Sequence, residues 1–468
     1  MKKIDFSNLS KKQKIAFGGT MVVVLVLIVV LALFVPRDAR IVFYNDRITT
    51  GPGSYGFEVA GTNLRIRQSG KYYISGNCTE DALGCTVLVD KNLQDVTLVL
   101  DNLTLTSSYG APIMVRKETN VQIILKGESV LTDNDQREGA AIKIGSKANL
   151  RMDGEGSLVV SGMVRNGIKG GKDSSIVTEG GNYSIVAVND AIHGGDRVSL
   201  LGGKFMIEAG DDGVHADKFL TLGTYEEDYD LEIEVKKSKE GLEADSVFIL
   251  SGKIDVTADD DGINAGDGTG GDDDIADDEA VNNVQGDVNA GASGGDDVNG
   301  GVIDNGGTPC SAKSNNGQVT KQRAMTSGSS IWIYGGDIKV NAGGDGIDAN
   351  GNIYFYGGRT VVWGMEEGGL DEAIDHAAGL VINRGEFFAG ESSGDELIHE
   401  WISSTEQGFI YAKGVFEAGD EIEVINPEGE VVLNVIVPKK VGYIMYTSPK
   451  MPLEVQTQAS NGWRFHKK

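Results

Sequence analysis

A five-residue phrase recurs through the middle of this 468-residue chain and leaves few folds open to it. It reads Asn166-Gly-Ile-Lys-Gly, Asp190-Ala-Ile-His-Gly, Asp212-Gly-Val-His-Ala, Glu240-Gly-Leu-Glu-Ala, Asp261-Gly-Ile-Asn-Ala and Asp345-Gly-Ile-Asp-Ala, with a weaker copy at Glu372-Ala-Ile-Asp-His. The first five copies start 24, 22, 28 and 21 residues apart. A second segment follows several of them, as in Val198-Ser-Leu-Leu-Gly-Gly, Val247-Phe-Ile-Leu-Ser-Gly, Ile331-Trp-Ile-Tyr-Gly-Gly and Ile353-Tyr-Phe-Tyr-Gly-Gly. A third closes the unit: Lys204-Phe-Met-Ile-Glu, Lys253-Ile-Asp-Val-Thr, Asp337-Ile-Lys-Val-Asn and Arg359-Thr-Val-Val-Trp. Three short strands joined by turns make one coil of a parallel β-helix, whose neighbouring coils stack and bury a shared core.

The alternation within each phrase assigns faces. Ile168, Ile192, Val214, Leu242, Ile263 and Ile347 should stack inward as an aliphatic ladder, with a small residue two positions later also inward. Lys169, His193, His215, Glu243, Asn264 and Asp348 should point outward. The glycine after the leading acid suits either a positive φ or a close approach between coils. The 66 glycines agree with many tight turns.

The boundaries follow from where the pattern starts and stops. Residues 61–390 are expected to be the β-helix, including earlier β-rich runs such as Val96-Thr-Leu-Val-Leu100 and Val121-Gln-Ile-Ile-Leu125. Residues 36–60 read as a linker. Within the helix, 267–328 reads as an insertion, because the interval from Asp261 to Asp345 is 84 residues. It is rich in Asp, Gly, Asn and Ser and cannot bury apolar surface. Residues 391–468 read as a small antiparallel β cap over the open end of the helix.

Upstream of the linker, Ile15 to Val35 is uncharged and dense in Val and Leu, long enough to span a bilayer as a transmembrane helix. Lys2, Lys3, Lys11, Lys12 and Lys14 precede it, which places residues 1–14 in the cytoplasm and the bulk of the chain outside a single-pass cell-membrane anchor. A cleaved signal is the alternative. Cys78 and Cys85 flank a turn-like stretch and are either a small disulfide loop or two small buried side chains; Cys310 has no evident partner. No cysteine or histidine run has zinc-ligand spacing along the sequence.

The formal charge of −27 makes nucleic acid an improbable partner. Fourteen acids and no Lys or Arg fall between Asp259 and Asp304. The leading acids Asp190, Asp212, Glu240, Asp261 and Asp345, with Asp211, Asp259, Asp260 and Asp348 beside them, form one acidic column. Asp196, Asp217, Asp245 and Asp267 form a second, just after the first strand. Carboxylates at coil spacing repel unless protonated or bridged, and calcium takes six to eight oxygens, so these columns are candidate calcium ligands. The plainer reading is that they cap turns by accepting backbone N–H groups.

These residues resemble the carbohydrate-binding β-helix family of clostridial cell-surface proteins, and so does the run Val96-Thr-Leu-Val-Leu-Asp-Asn-Leu-Thr-Leu-Thr-Ser-Ser108. The resemblance covers roughly residues 60–450. It implies a right-handed all-β parallel β-helix, calcium as a bound ion, an acidic plant polysaccharide such as a pectic polyuronate as ligand, and similarity to the family-nine pectate lyases.

Lys169, His193 and His215 are the candidate basic spot for a uronate carboxylate, and Lys169 is the weak candidate for a lyase base. The plain alternative is a solvated lysine and two exposed histidines. Asp211-Asp212-Gly and Ile192-His-Gly are similar to polygalacturonase motifs but stand in the wrong order. Trp332, Tyr334, Tyr354 and Tyr356, with Trp363, are candidate sugar platforms, or else aromatic stacking on a covered face. The reading is a non-catalytic, calcium-associated polysaccharide binder at the cell surface. A pectate-lyase-like enzyme is the runner-up, and a structural or adhesive surface protein stands third.

Overall fold

Strands that present an apolar side chain at every second position, repeated every twenty-odd residues, have one economical way to bury them. Each stacks on its own next copy. The computed structural model, which describes residues 39–80, 84–136, 139–225, 230–266, 329–368, 371–393, 397–458 and 462–468, is such a stack. It is an all-β solenoid of about 10 turns, built on three parallel faces.

The first face carries the phrase. Its inward ladder runs in unbroken register from Leu64 through Val87, Ile113, Ile142, Ile168, Ile192, Val214, Leu242, Ile263 and Ile347 to Ile374. Every member is at most 3% exposed. Ladders of this kind supply the stability, roughly 1.5–3 kcal/mol for each aliphatic side chain taken out of water. The second face runs through Val198, Leu220, Val247, Ile331 and Ile353, and the third through Phe205, Ile233, Ile254 and Ile338. The stack therefore begins several coils before Asn166, where the acid-glycine punctuation first becomes visible.

The glycine after the leading acid has a specific job. None of Gly213, Gly241, Gly262 or Gly346 has a positive φ. A Cβ at Gly213 would collide with the carbonyl oxygen of Gly241, one at Gly241 with that of Gly262, and one at Gly262 with that of Gly346. The repeat uses glycine for close approach between coils.

Both ends are covered. Ala39–Phe43 stacks parallel on Gly70–Cys78, and Phe57–Ala60 forms an antiparallel pair with Asn63–Ile66. The segment expected to be a linker thus contributes strands to the N-terminal end. Cys78 and Cys85, both fully buried, form a disulfide in this first coil. At the other end Gly379–Glu391 turns antiparallel against Val441–Thr447, which pairs in turn with Phe409–Phe416. A three-stranded sheet of Glu421–Ile425, Val431–Ile436 and Arg464–Lys467 packs there over a second core with Trp363, Phe388, Val424, Tyr446 and Trp463.

The long interval between Asp261 and Asp345 leaves the stack undisturbed. Ser246–Ile249 pairs with Ser330–Ile333, and Ile263–Ala265 with Ile347–Ala349, as if one coil followed another directly. Residues 267–328, with Asp267 and Cys310, lie outside the described residues, as does the proposed anchor before residue 39. Among the described residues, no helix is long and apolar enough to cross a membrane. The one helical turn among them is the short 3-10 segment Ile398–Glu400.

Candidate functional site

Register on the first face brings the polar residues into columns. Lys143, Lys169, His193, His215, Glu243, Asn264, Asp348 and Asp375 follow one another coil by coil. The leading acids run beside them.

These acids do two things at once. One oxygen accepts the N–H of the next coil: Asp190 Oδ1 from Asp212 at 3.4 Å, Asp261 Oδ1 from Asp345 at 2.8 Å, and Asp345 Oδ1 from Glu372 at 2.5 Å. The turn-capping role is real. The second oxygen of the earlier acids faces the outward column, where Asp190 Oδ2 lies 2.8 Å from His193 Nδ1 and Asp212 Oδ2 lies 2.9 Å from His215 Nδ1. Glu240 accepts from Asn264 Nδ2 at 3.0 Å and lies 3.5 Å from Lys239 Nζ.

His193 and His215 differ most from expectation. They point away from the apolar core, yet they are only 7% and 4% exposed. Their rings stack at 4.3 Å, nearly parallel, with an acid at each edge. Asp217 is the reason. It lies in the same strand as His215, Val214–Leu222, and puts Oδ1 3.0 Å from His193 Nε2 and 3.7 Å from His215 Nε2. Glu243 from the next coil adds an oxygen 2.7 Å from His215 Nδ1. Lys169 is drawn in too, its Nζ 3.3 Å from His193 Nδ1. The three are parts of a buried polar network, where two exposed histidines and a solvated lysine were the alternative.

The electrostatics follow from that crowding. Burial works against the His215 cation, but the bonds to Asp212 and Glu243 outweigh it and raise its pKa. Burial would raise Asp217, but the bond to His193 wins and holds it low. Further along, burial and then neighbouring carboxylates push Asp345 and Asp348 up to about 7 and Asp261 to about 6.

The candidate calcium ligands divide accordingly. Asp190, Asp211 and Asp212 lie close enough to share an ion, and so do Asp212, His215 and Glu243. Asp217 belongs with the two histidines. Asp261 and Asp345 are linked along the chain of turn caps. Asp245 is held by Ser329 Oγ at 2.8 Å. Asp260 joins none of the three-residue groups among the described residues.

The aromatic candidates also stack on one another. Trp332 is 9% exposed and lies between Phe248 at 4.7 Å and Tyr354 at 5.7 Å, both nearly parallel, so neither face of its indole is open to a sugar. Tyr334 stacks on Tyr356 at 5.3 Å, and Tyr354 on Tyr356 at 5.8 Å. Trp363 belongs to the third face and is buried against Phe388. The sequence reading passed over a groove of about 570 Å³ on the second face, lined by Thr97, Gln122, Asn149, Arg151 and Ser175. Its signal was a column of amides and hydroxyls: Asn149 Nδ2 donates to Asn120 Oδ1 at 2.7 Å, and Ser175 bonds Asn149.

The profile of a family described as carbohydrate-binding domain-containing protein matches residues 60–368. A carbohydrate-binding domain-containing protein of Acetivibrio thermocellus is 29% identical over 162 residues, which is 32% of this chain and 54% of that protein. The chain therefore spans about half the length of the curated relative it matches. A solved structure, described as the polysaccharide lyase-like protein from C. thermocellum in a gadolinium derivative, is 28% identical with a TM-score of 0.34. The likeness covers 49% of this chain and 85% of that one.

Proposed function

The chain belongs to the carbohydrate-binding domain family, and from that premise we propose that it holds an acidic polysaccharide at the cell surface through bound calcium. The observation that carries this reading is the double acidic ladder at the C-terminal half of the first face. Asn264, Asp348 and Asp375 are in register on consecutive coils, and Asp261, Asp345 and Glu372 run beside them. The charged groups that crowd Asp345 and Asp348 are other carboxylates, Asp261 and Asp375 foremost. Oxygens from adjacent coils suit a hard cation that takes six to eight of them. A protein of charge −27 and a polyuronate repel each other, and bridging calcium removes that repulsion. Residues Ile15 to Val35 would anchor the binder in the membrane, with the solenoid outside.

The test is retention of the full chain on polygalacturonate with millimolar calcium, with EDTA, and on a neutral glucan. Retention should need calcium and the uronate polymer, and calcium should raise the thermal midpoint where magnesium does little. Asp345→Asn with Asp348→Asn should remove most of both effects. Equal retention in EDTA would exclude calcium bridging.

A further inference from the structure

We propose that His193, His215 and Asp217 form a site for a transition-metal dication of the zinc class, separate from the acidic ladder. One ligand atom from each of the three residues lies within 4.8 Å of the other two. Asp217 Oδ1 stands 3.0 Å from one nitrogen and 3.7 Å from the other. Ligands bound tetrahedrally to zinc at 2.0–2.1 Å are about 3.3 Å apart, and the two distances bracket that value.

The other edge of each ring is already prepared. His193 Nδ1 lies 2.8 Å from Asp190, and His215 Nδ1 lies 2.9 Å from Asp212 and 2.7 Å from Glu243. A carboxylate on Nδ1 fixes the tautomer that leaves the Nε2 lone pair free, as it does behind metal-bound histidines generally. A metal ion entering here takes the place of the proton that His193 Nε2 and Asp217 Oδ1 otherwise share at 3.0 Å.

An independent sign is an orphan. His215 is 4% exposed, and its Nε2 is buried without a hydrogen-bond partner. Leaving such a group unpaired costs about 1–3 kcal/mol, and a metal bond removes the penalty. The alternative, two stacked imidazolium rings 4.3 Å apart, places like charges face to face. Two imidazoles and one carboxylate favour zinc, cobalt or nickel over calcium, which prefers all-oxygen cages. With three protein ligands, the fourth position is left to water or a sugar oxygen.

The full chain, stripped of metal with a chelator, is titrated with Co²⁺ while the visible d–d bands are followed. The proposal expects one equivalent bound, with bands of the strength of a four-coordinate, nitrogen-ligated ion. Zn²⁺ should displace it, and a thousandfold excess of Ca²⁺ should not. Asp217→Asn, at a partly exposed position that should leave folding intact, should weaken Co²⁺ at least tenfold with an unchanged circular-dichroism spectrum. Asp255→Asn, on the third face in the strand Lys253–Ala258, should leave affinity unchanged. The proposal is overturned by an absence of saturable bands, by displacement with Ca²⁺ as readily as with Zn²⁺, or by equal affinity in Asp217→Asn and the unaltered chain. Loss of affinity in Asp255→Asn as large as in Asp217→Asn would overturn it as well. None of these outcomes depends on whether the acidic ladder binds calcium or a polyuronate.

Discussion

At the scale of single residues, the fold is most sensitive where coils touch. Gly241→Ala would drive a methyl group into the carbonyl of Gly262. The coils must part to admit it, and the expected loss is about 1–3 kcal/mol in chemical denaturation. A loss below about 0.5 kcal/mol would mean that the glycines are kept for another reason. Glu391 makes a different demand. It is 1% exposed, its carboxylate accepts the Ala373 and Ile398 N–H groups at 3.1 and 3.2 Å, and burial pushes its pKa from 4.5 to about 7. Because the folded pKa lies above the unfolded one, the fold prefers the protonated form. Its contribution is fully present below pH 4.5 and is lost as pH rises through 7, by on the order of 3 kcal/mol. Unfolding curves at pH 5 and pH 8 should therefore differ more in the unaltered chain than in Glu391→Gln, which cannot ionise; equal slopes would remove the effect. The inward residues were readable from alternation alone, and Ile263 or Leu242 could not have faced elsewhere. The fate of His193 and His215 was not, because a strand register says which way a side chain leaves the sheet and nothing about what folds over it. One clue was present: the acid three residues before each histidine, Asp190 and Asp212, is the one that meets its Nδ1.

At the scale of elements, the strands were legible where turns punctuate them and hidden where they do not. Thr86–Val89 and Ile113–Val115 belong to the same ladder as the acid-glycine copies, but they lack the leading acid that made those visible. The aromatic strands Ser330–Ile333 and Asn352–Trp363 teach a related lesson. Alternation correctly placed Ile331, Ile333, Ile353 and Phe355 inside. It could not show that Phe248, one coil earlier and 84 residues back in sequence from Trp332, would cover the indole. Trp332→Ala should therefore cost stability, about 3–5 kcal/mol, and leave polysaccharide retention as it was. Weakened retention in a variant that unfolds at the same denaturant concentration would restore the sugar-platform reading.

At the scale of the whole molecule, each coil depends on its neighbours along the stack and on little else. The coil entered at Ile263 shows this most plainly, since its second strand arrives only at Ser330 and still pairs in register with Ser246–Ile249. Three ladders cross that junction, Ile263 on Ile347, Val247 on Ile331 and Ile254 on Ile338. If a protease site is engineered between residues 267 and 328 and cut, the two pieces should co-elute under native conditions and separate only in denaturant. Separation in buffer would show that the junction needs its peptide link. What the intact pairing implies is that the polypeptide at this corner acts as a tether, keeping two self-complementary halves at high effective concentration until they zip together. A chain built this way can gain or lose whole stretches of sequence at a corner, and the rod on either side need not register the change.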